Sequence, residues 1–84
     1  MRNAEVALHF DELADLYELD GAVSYRVIAY RNAAKSIREA NASVEEMTKA
    51  GRVTELAGVG KTIAEKLQAL FETGEIPAAQ KLKA

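Results

Sequence analysis

Apolar residues recur along the first twenty positions with the three-and-four spacing of a helix. At about 100° per residue, Val6, Phe10, Leu13 and Tyr17 fall on one side, with Asp11, Asp15 and Glu18 opposite. The spacing predicts an amphipathic helix with an acidic outer face, capped by Asn3 and running to about Leu19, where Asp20-Gly21 stops it. His9 lies at the edge of the apolar stripe and reads as a boundary residue. A second periodic run, Val27, Tyr30, Ala33, Ala34 and Ile37, predicts a helix from about Ser24 to Ala40, with alanines that let a neighbouring helix come close. Ser43 with Glu46 makes a capping box for a short helix through Lys49 or Ala50, closed by Gly51.

The next stretch changes character. A short helix over Arg52–Leu56 is followed by Gly58-Val59-Gly60 and by a helix from Lys61 to Glu72 or Thr73. Ile63, Ala64, Leu67, Leu70 and Phe71 form the core side of that helix, with Lys66 at its border. Gly74 ends it, and Pro77 bars its continuation. The segment from Ala78 to Ala84 starts a helical pattern without an apolar stripe long enough to complete one. The expected fold is therefore all-α: a compact bundle of about four main helices plus a short helix, in one domain over residues 1–84. Residues 1–51 supply support and a basic helix, 52–74 carry the glycine turn, and 75–84 read as a tail leading to further domains.

Composition narrows the chemistry. Nearly half of the 84 residues are hydrophobic and only 6% are aromatic, so the core is built from Leu, Val, Ile and Ala, which suits helices. The chain has no cysteine, which excludes disulfides and thiolate metal sites and fits a reducing compartment. His9 stands alone, leaving a zinc site only carboxylates for its other ligands. There is no apolar run of about eighteen residues and no basic-then-apolar leader, so a cytoplasmic protein, without a membrane partner, is expected.

A net charge of −2 argues against nucleic acid if taken alone. Its distribution argues otherwise. Residues 1–20 hold Glu5, Asp11, Glu12, Asp15, Glu18 and Asp20 against the single Arg2, whereas residues 24–38 hold Arg26, Arg31, Lys35 and Arg38 with no acid. Arg31, Lys35 and Arg38 follow an i, i+4, i+7 spacing and should stand in one row. A purely solvating face normally mixes signs, so an acid-free row points toward an anionic ligand.

Three readings compete for Gly58-Val59-Gly60-Lys61-Thr62. A nucleotide-binding P-loop ends in Gly-Lys-Thr, but it needs a glycine where this chain has Glu55 and a strand where it has a short helix. A plain helix–turn–helix connection would use the glycines only to relieve strain. A helix-hairpin-helix element needs apolar residues at the places of Val53, Leu56 and Val59, glycines at 58 and 60, and a small residue at Ala64, and every slot is filled. In that reading Val59 plugs the gap between two helices. Main-chain N–H groups near Val59, Gly60 and Lys61 then grip a DNA backbone without reading its sequence.

Together, Tyr30-Arg31-Asn32-Ala33-Ala34 and Gly58-Val59-Gly60-Lys61-Thr62-Ile63-Ala64-Glu65-Lys66 resemble the amino-terminal 8-kDa domain of family X DNA polymerases, the group of DNA polymerase beta. Met1-Arg2-Asn3 and Tyr25-Arg26-Val27 look like its bacterial branch. The resemblance covers essentially the whole chain. It implies four packed helices, binding to gapped or nicked DNA bearing a 5′-phosphate in base-excision or gap-filling repair, and in several members a 5′-deoxyribose-phosphate lyase. That activity runs through a lysine Schiff base and needs no cofactor. The family's nucleophile falls on Lys66, with Tyr30 and Glu65 at assisting positions. Lys66 also fits on its own terms, because the rim of a core beside other cations favours the unprotonated amine that must attack.

The resemblance further implies that Tyr25 and Arg26 hold the 5′-phosphate and face the template, with Arg31 near the same pocket; the basic row adds Lys35, and the hairpin adds Lys61 and Thr62 on the backbone. It implies a monovalent cation, Na⁺ or K⁺, on the main-chain carbonyls of Thr54, Leu56 and Val59. Polymerisation would belong to a later domain of the same chain, and the expected unit is a monomer associated with the nucleoid. The chain departs from the family pattern at Ala57, where proline is usual, at Tyr25, where the vertebrate enzyme has histidine, and in the order Lys61-Thr62. A non-catalytic module, binding DNA or protein, is the alternative; Lys66 would then be a phosphate contact or a surface residue.

Overall fold

A computed structural model describes residues 1–83 as helices throughout: α1 (Asn3–Leu19), α2 (Ser24–Glu39), α3 (Val44–Lys49), a 3₁₀ turn (Val53–Glu55), α4 (Lys61–Thr73) and α5 (Pro77–Lys83). The all-α expectation is met, with α1, α2 and α4 within a residue or so of their predicted limits. The short link Asp20–Val23 makes α1 and α2 antiparallel neighbours, and theirs is the largest helix–helix contact of the fold. Ala7 and Ala14 of α1 and Ala33 and Ala34 of α2 are fully buried, and their small side chains allow this close approach. Phe10, Leu13, Ile37, Leu67 and Leu70 fill the centre, each such side chain stabilising the fold by roughly 1.5–3 kcal/mol through burial.

Three expectations are corrected. Asn3 is the first residue of α1, not its cap, and its amide ties α1 to the α2–α3 loop: it donates to Ala42 O (2.9 Å) and Ala40 O (3.4 Å) and accepts from Val44 N–H (2.9 Å). An amide offers donors and an acceptor together, which suits a bridge better than a cap. Asn3 thereby helps Ser43, whose Oγ accepts from Glu46 N–H at 3.3 Å, to close the start of α3. Glu45, held by the terminal amine and by Lys49, has its carboxyl pushed down to about 2.

Second, the helix expected over Arg52–Leu56 is only a 3₁₀ turn, closed by Glu55 N–H to Arg52 O (3.0 Å) and Leu56 N–H to Val53 O (3.1 Å). The backbone is already extended at Leu56, because the chain must swing Val59 into the core, so no second turn can follow. Third, the helical pattern after Pro77, expected to stay incomplete, closes as α5. Ile76 and Ala79 are buried, Leu82 packs against the core, α5 lies on α1, and Lys83 pairs with Glu12 at 2.9 Å. A seven-residue helix needs little apolar area when a long neighbour supplies the opposite wall.

Candidate nucleic-acid interface

The glycine hairpin closes on itself before it meets anything else. Val59 N–H donates to Leu56 O at 3.1 Å, and the Val59 side chain, 4% exposed, plugs into the core as the motif requires. Gly58 has φ +77°, a left-handed conformation costly for any residue with a Cβ. Gly60 differs: its φ is −93°, open to any residue, and a Cβ built there would meet nothing within 4 Å. Nothing inside the protein requires glycine at 60, which leaves room outside it for close approach by another molecule.

Gly60 caps α4, whose first turn closes with Ala64 N–H to Gly60 O at 2.9 Å. The N–H groups of Gly60, Lys61 and Thr62 therefore have no partner within the helix, and no acidic side chain stands in the first turn to neutralise them. Val59, expected to donate as well, is engaged by Leu56, so the donor set shifts one residue along the chain.

The hairpin leans on α2. Ser36 Oγ donates to Ala57 O at 2.6 Å, and Gly58 approaches the backbone of Asn32. Between them lies a groove of about 340 Å³ lined by Asn32, Lys35, Ser36, Glu39, Ala57 and Gly58. Lys35 and Lys61 are exposed and form no ion pair among the described residues. The predicted basic row, however, splits. Arg31 bonds Asp15 (2.8 Å) and Glu18 (3.2 Å), and Arg38 bonds Asp11 (2.9 Å), so the acidic face of α1 takes two of its three members. The opposite charges of the first two helices face each other, and the acid-free stretch of α2 is in large part the complement of α1.

Tyr30 and Lys66 meet. Tyr30 is 6% exposed, and the Lys66 amine stands 5.9 Å from the centre of its ring, a cation–π contact that holds the half-buried lysine in place. The contact is to the ring face. Tyr17, assigned from its spacing to the scaffold alone, stacks on Tyr30 at 5.4 Å with ring planes 7° apart, and Phe10 lies beyond at 6.3 Å. Arg26 places its guanidinium 5.4 Å from the Tyr17 ring centre and pairs with no acid among the described residues. Burial pushes the Tyr30 hydroxyl above the ordinary tyrosine range; the charge of Arg26 and the Tyr17 hydroxyl partly oppose this. The sequence signal for Tyr17 was there in its place at the end of the α1 stripe, where an aromatic with a polar tip suits a half-open pocket.

The remaining predicted residues lie apart from that pocket. Tyr25 is 74% exposed near the start of α2. Glu65 is exposed and lines a separate groove of about 200 Å³ with Thr54 and Lys61, making no hydrogen bond or ion pair to Tyr30 or Lys66. Of the three carbonyls expected to hold a cation, Leu56 O accepts Val59 N–H, while those of Thr54 and Val59 accept no hydrogen bond in the turns and caps. Neutral oxygens of this kind suit a monovalent ion, and the nearby Glu55 carboxylate is taken by Arg52.

A family model described as a helix-hairpin-helix domain matches residues 1–76. The chain belongs to that family. No curated protein matches it in sequence. The match runs from before α1 through Ile76 and leaves residues 77–84 outside it. Membership points to DNA binding, in keeping with the outward N–H groups of the hairpin, and no helix among the described residues is long and apolar enough to cross a membrane.

Proposed function

We propose that this helix-hairpin-helix domain binds gapped or nicked DNA through its 5′-phosphate and that Lys66 acts as a 5′-deoxyribose-phosphate lyase. The observation that carries this reading is the Lys66 amine against the Tyr30 ring, in the same cluster as the guanidinium of Arg26, which has no acid partner among the described residues. Arg26 receives the 5′-phosphate, and the N–H groups of Gly60, Lys61 and Thr62, with the Lys35 and Lys61 side chains, hold the backbone beyond it. Tyr25 faces the template. The carbonyls of Thr54, Leu56 and Val59 would hold Na⁺ or K⁺, which supplies positive charge between the hairpin and a phosphate.

The chemistry is that of an imine. After giving up its proton to solvent, the Lys66 amine adds to the C1′ aldehyde, and loss of water leaves an iminium. Removal of a C2′ proton then breaks the C3′–O bond, so the downstream strand departs with its phosphate, and water releases the sugar from the lysine. Water takes the C2′ proton, because Glu65 opens onto a separate groove. The resemblance to family X polymerases supports the same roles and assigns polymerisation to a later domain.

Borohydride trapping on DNA carrying a 5′-deoxyribose phosphate tests the proposal. A covalent adduct that vanishes in Lys66→Ala and survives in Lys49→Ala is expected. Affinity for a phosphorylated gap should exceed that for an unphosphorylated one by about tenfold, the worth of one charge-assisted contact. No adduct, with that preference intact, would leave a non-catalytic binding module.

A further inference from the structure

Two cations of this surface rest on one aromatic pair. Arg26 sits over Tyr17, Lys66 sits over Tyr30, and the two rings are nearly parallel at 5.4 Å. Neither cation has a carboxylate partner among the described residues, so the ring contacts are what the described residues offer to orient them. The rings are fixed in turn. Tyr30 is buried against Phe10, and Tyr17 comes from α1, which α2 grips along its length. Lysine and arginine side chains otherwise keep much of their rotamer freedom at a surface, and freedom at either cation would blur the spacing that a substrate with a phosphate at one end and an aldehyde at the other must match.

We propose that Tyr17 is a positioning residue: its ring sets Arg26, which meets the phosphate, relative to Lys66, which meets the sugar carbon. This rests on the lyase reading for the Lys66 end and on the phosphate reading for the Arg26 end. Tyr17 touches no reacting atom. It acts by holding Arg26 directly and Lys66 through Tyr30. It also accounts for an aromatic at a half-buried helix position where leucine would cover the core equally well.

Tyr17→Leu and Tyr17→Phe separate this role from simple packing. The assay is single-turnover trapping at saturating gapped DNA with a 5′-deoxyribose phosphate, alongside affinities for phosphorylated and unphosphorylated gaps and thermal melts. Tyr17→Leu should lower the saturated rate at least tenfold and erase most of the phosphate preference, while affinity for the unphosphorylated gap, which the hairpin supplies, stays at the parent's value. Tyr17→Phe keeps the stack and should recover most of both.

A Tyr17→Leu protein that traps at the parent's saturated rate overturns the proposal. So does a Tyr17→Phe protein as deficient as Tyr17→Leu, because the ring would then not be what matters. A uniform fall in every affinity together with a collapsed melt would also overturn it, marking Tyr17 as core alone. If the parent forms no adduct, the lyase reading fails separately. The phosphate preference still decides for Tyr17, standing if Tyr17→Leu loses it and falling if the variant keeps it or the parent never had it.

Discussion

Arg31 and Arg38 turn their guanidinium groups toward α1, where Asp15, Glu18 and Asp11 meet them, whereas Lys35, one turn along the same helix, opens onto the hairpin groove with no ion-pair partner among the described residues. All three were expected to act as one basic surface. The division follows from rotation: at about 100° per residue, Lys35 leans some 60° away from Arg38 around α2, enough to exchange one neighbour for another. On the α1 side the positive charge is internal wiring of the bundle. On the hairpin side Lys35 and Lys61 have no ion-pair partner among the described residues, and neither have Arg26 and Lys66 at the aromatic pair. A net charge of −2 is thus compatible with a DNA-binding face, because much of the acid is paired away from it.

The two glycines of the hairpin offer the sharpest way to break this comparison, since the proposed function gives Gly58 to the fold and Gly60 to the ligand. Gly58→Ala should cost about 1–2 kcal/mol, because the left-handed backbone at 58 resists a Cβ, and the midpoint of thermal unfolding should drop by roughly 4–8 °C per kcal/mol. Gly60→Ala should move that midpoint less than Gly58→Ala, the poorer cap being offset by a stiffer unfolded chain, and should weaken DNA binding, its methyl occupying the space through which a phosphate approaches.

Tyr30, which joins the two regions, gives a pH-dependent test. Its folded pKa lies above the unfolded value near 10, so it contributes stability that is present in full below pH 10 and lost as pH rises through the folded pKa. Tyr30→Phe keeps the ring and cannot ionise. Its stability relative to the parent should therefore rise above pH 10, as read by denaturant unfolding at pH 8 and pH 11. The smallest effect belongs to the α1–α2 seam: Arg31→Ala should barely move the midpoint of thermal unfolding, since pairs this exposed are worth little.

Most of the fold was legible in spacing. The apolar stripes of α1, α2 and α4 are long enough for periodicity to locate them, and Gly74 and Pro77 mark the end of α4 clearly. The α5 stripe was too short to stand out, because its docking relies on α1 for the opposite wall and on a Lys83–Glu12 pair between distant residues. The Asn3 bridge was hidden for the same reason: its partners are some forty residues away. At the site, the hairpin residues, Tyr30 and Lys66 were visible as a motif. The pairing of Arg31 with α1 was not, although an acid-only helix followed by an acid-free stretch is itself a signal that the two face each other. Tyr17 was read as scaffold because periodicity reports which face a residue occupies and not what lies across from it.

Salt dependence of binding to a gapped, 5′-phosphorylated duplex tests the division of charge most directly, comparing Lys35→Ala/Lys61→Ala with Arg31→Ala/Arg38→Ala. Each lysine that contacts a phosphate contributes about 0.9 to the slope of log affinity against log salt. The account predicts that the slope of the lysine pair becomes shallower by nearly 2, while that of the arginine pair stays at the parent's value. A lysine pair with the parent's slope, or an arginine pair with a shallower one, would contradict it.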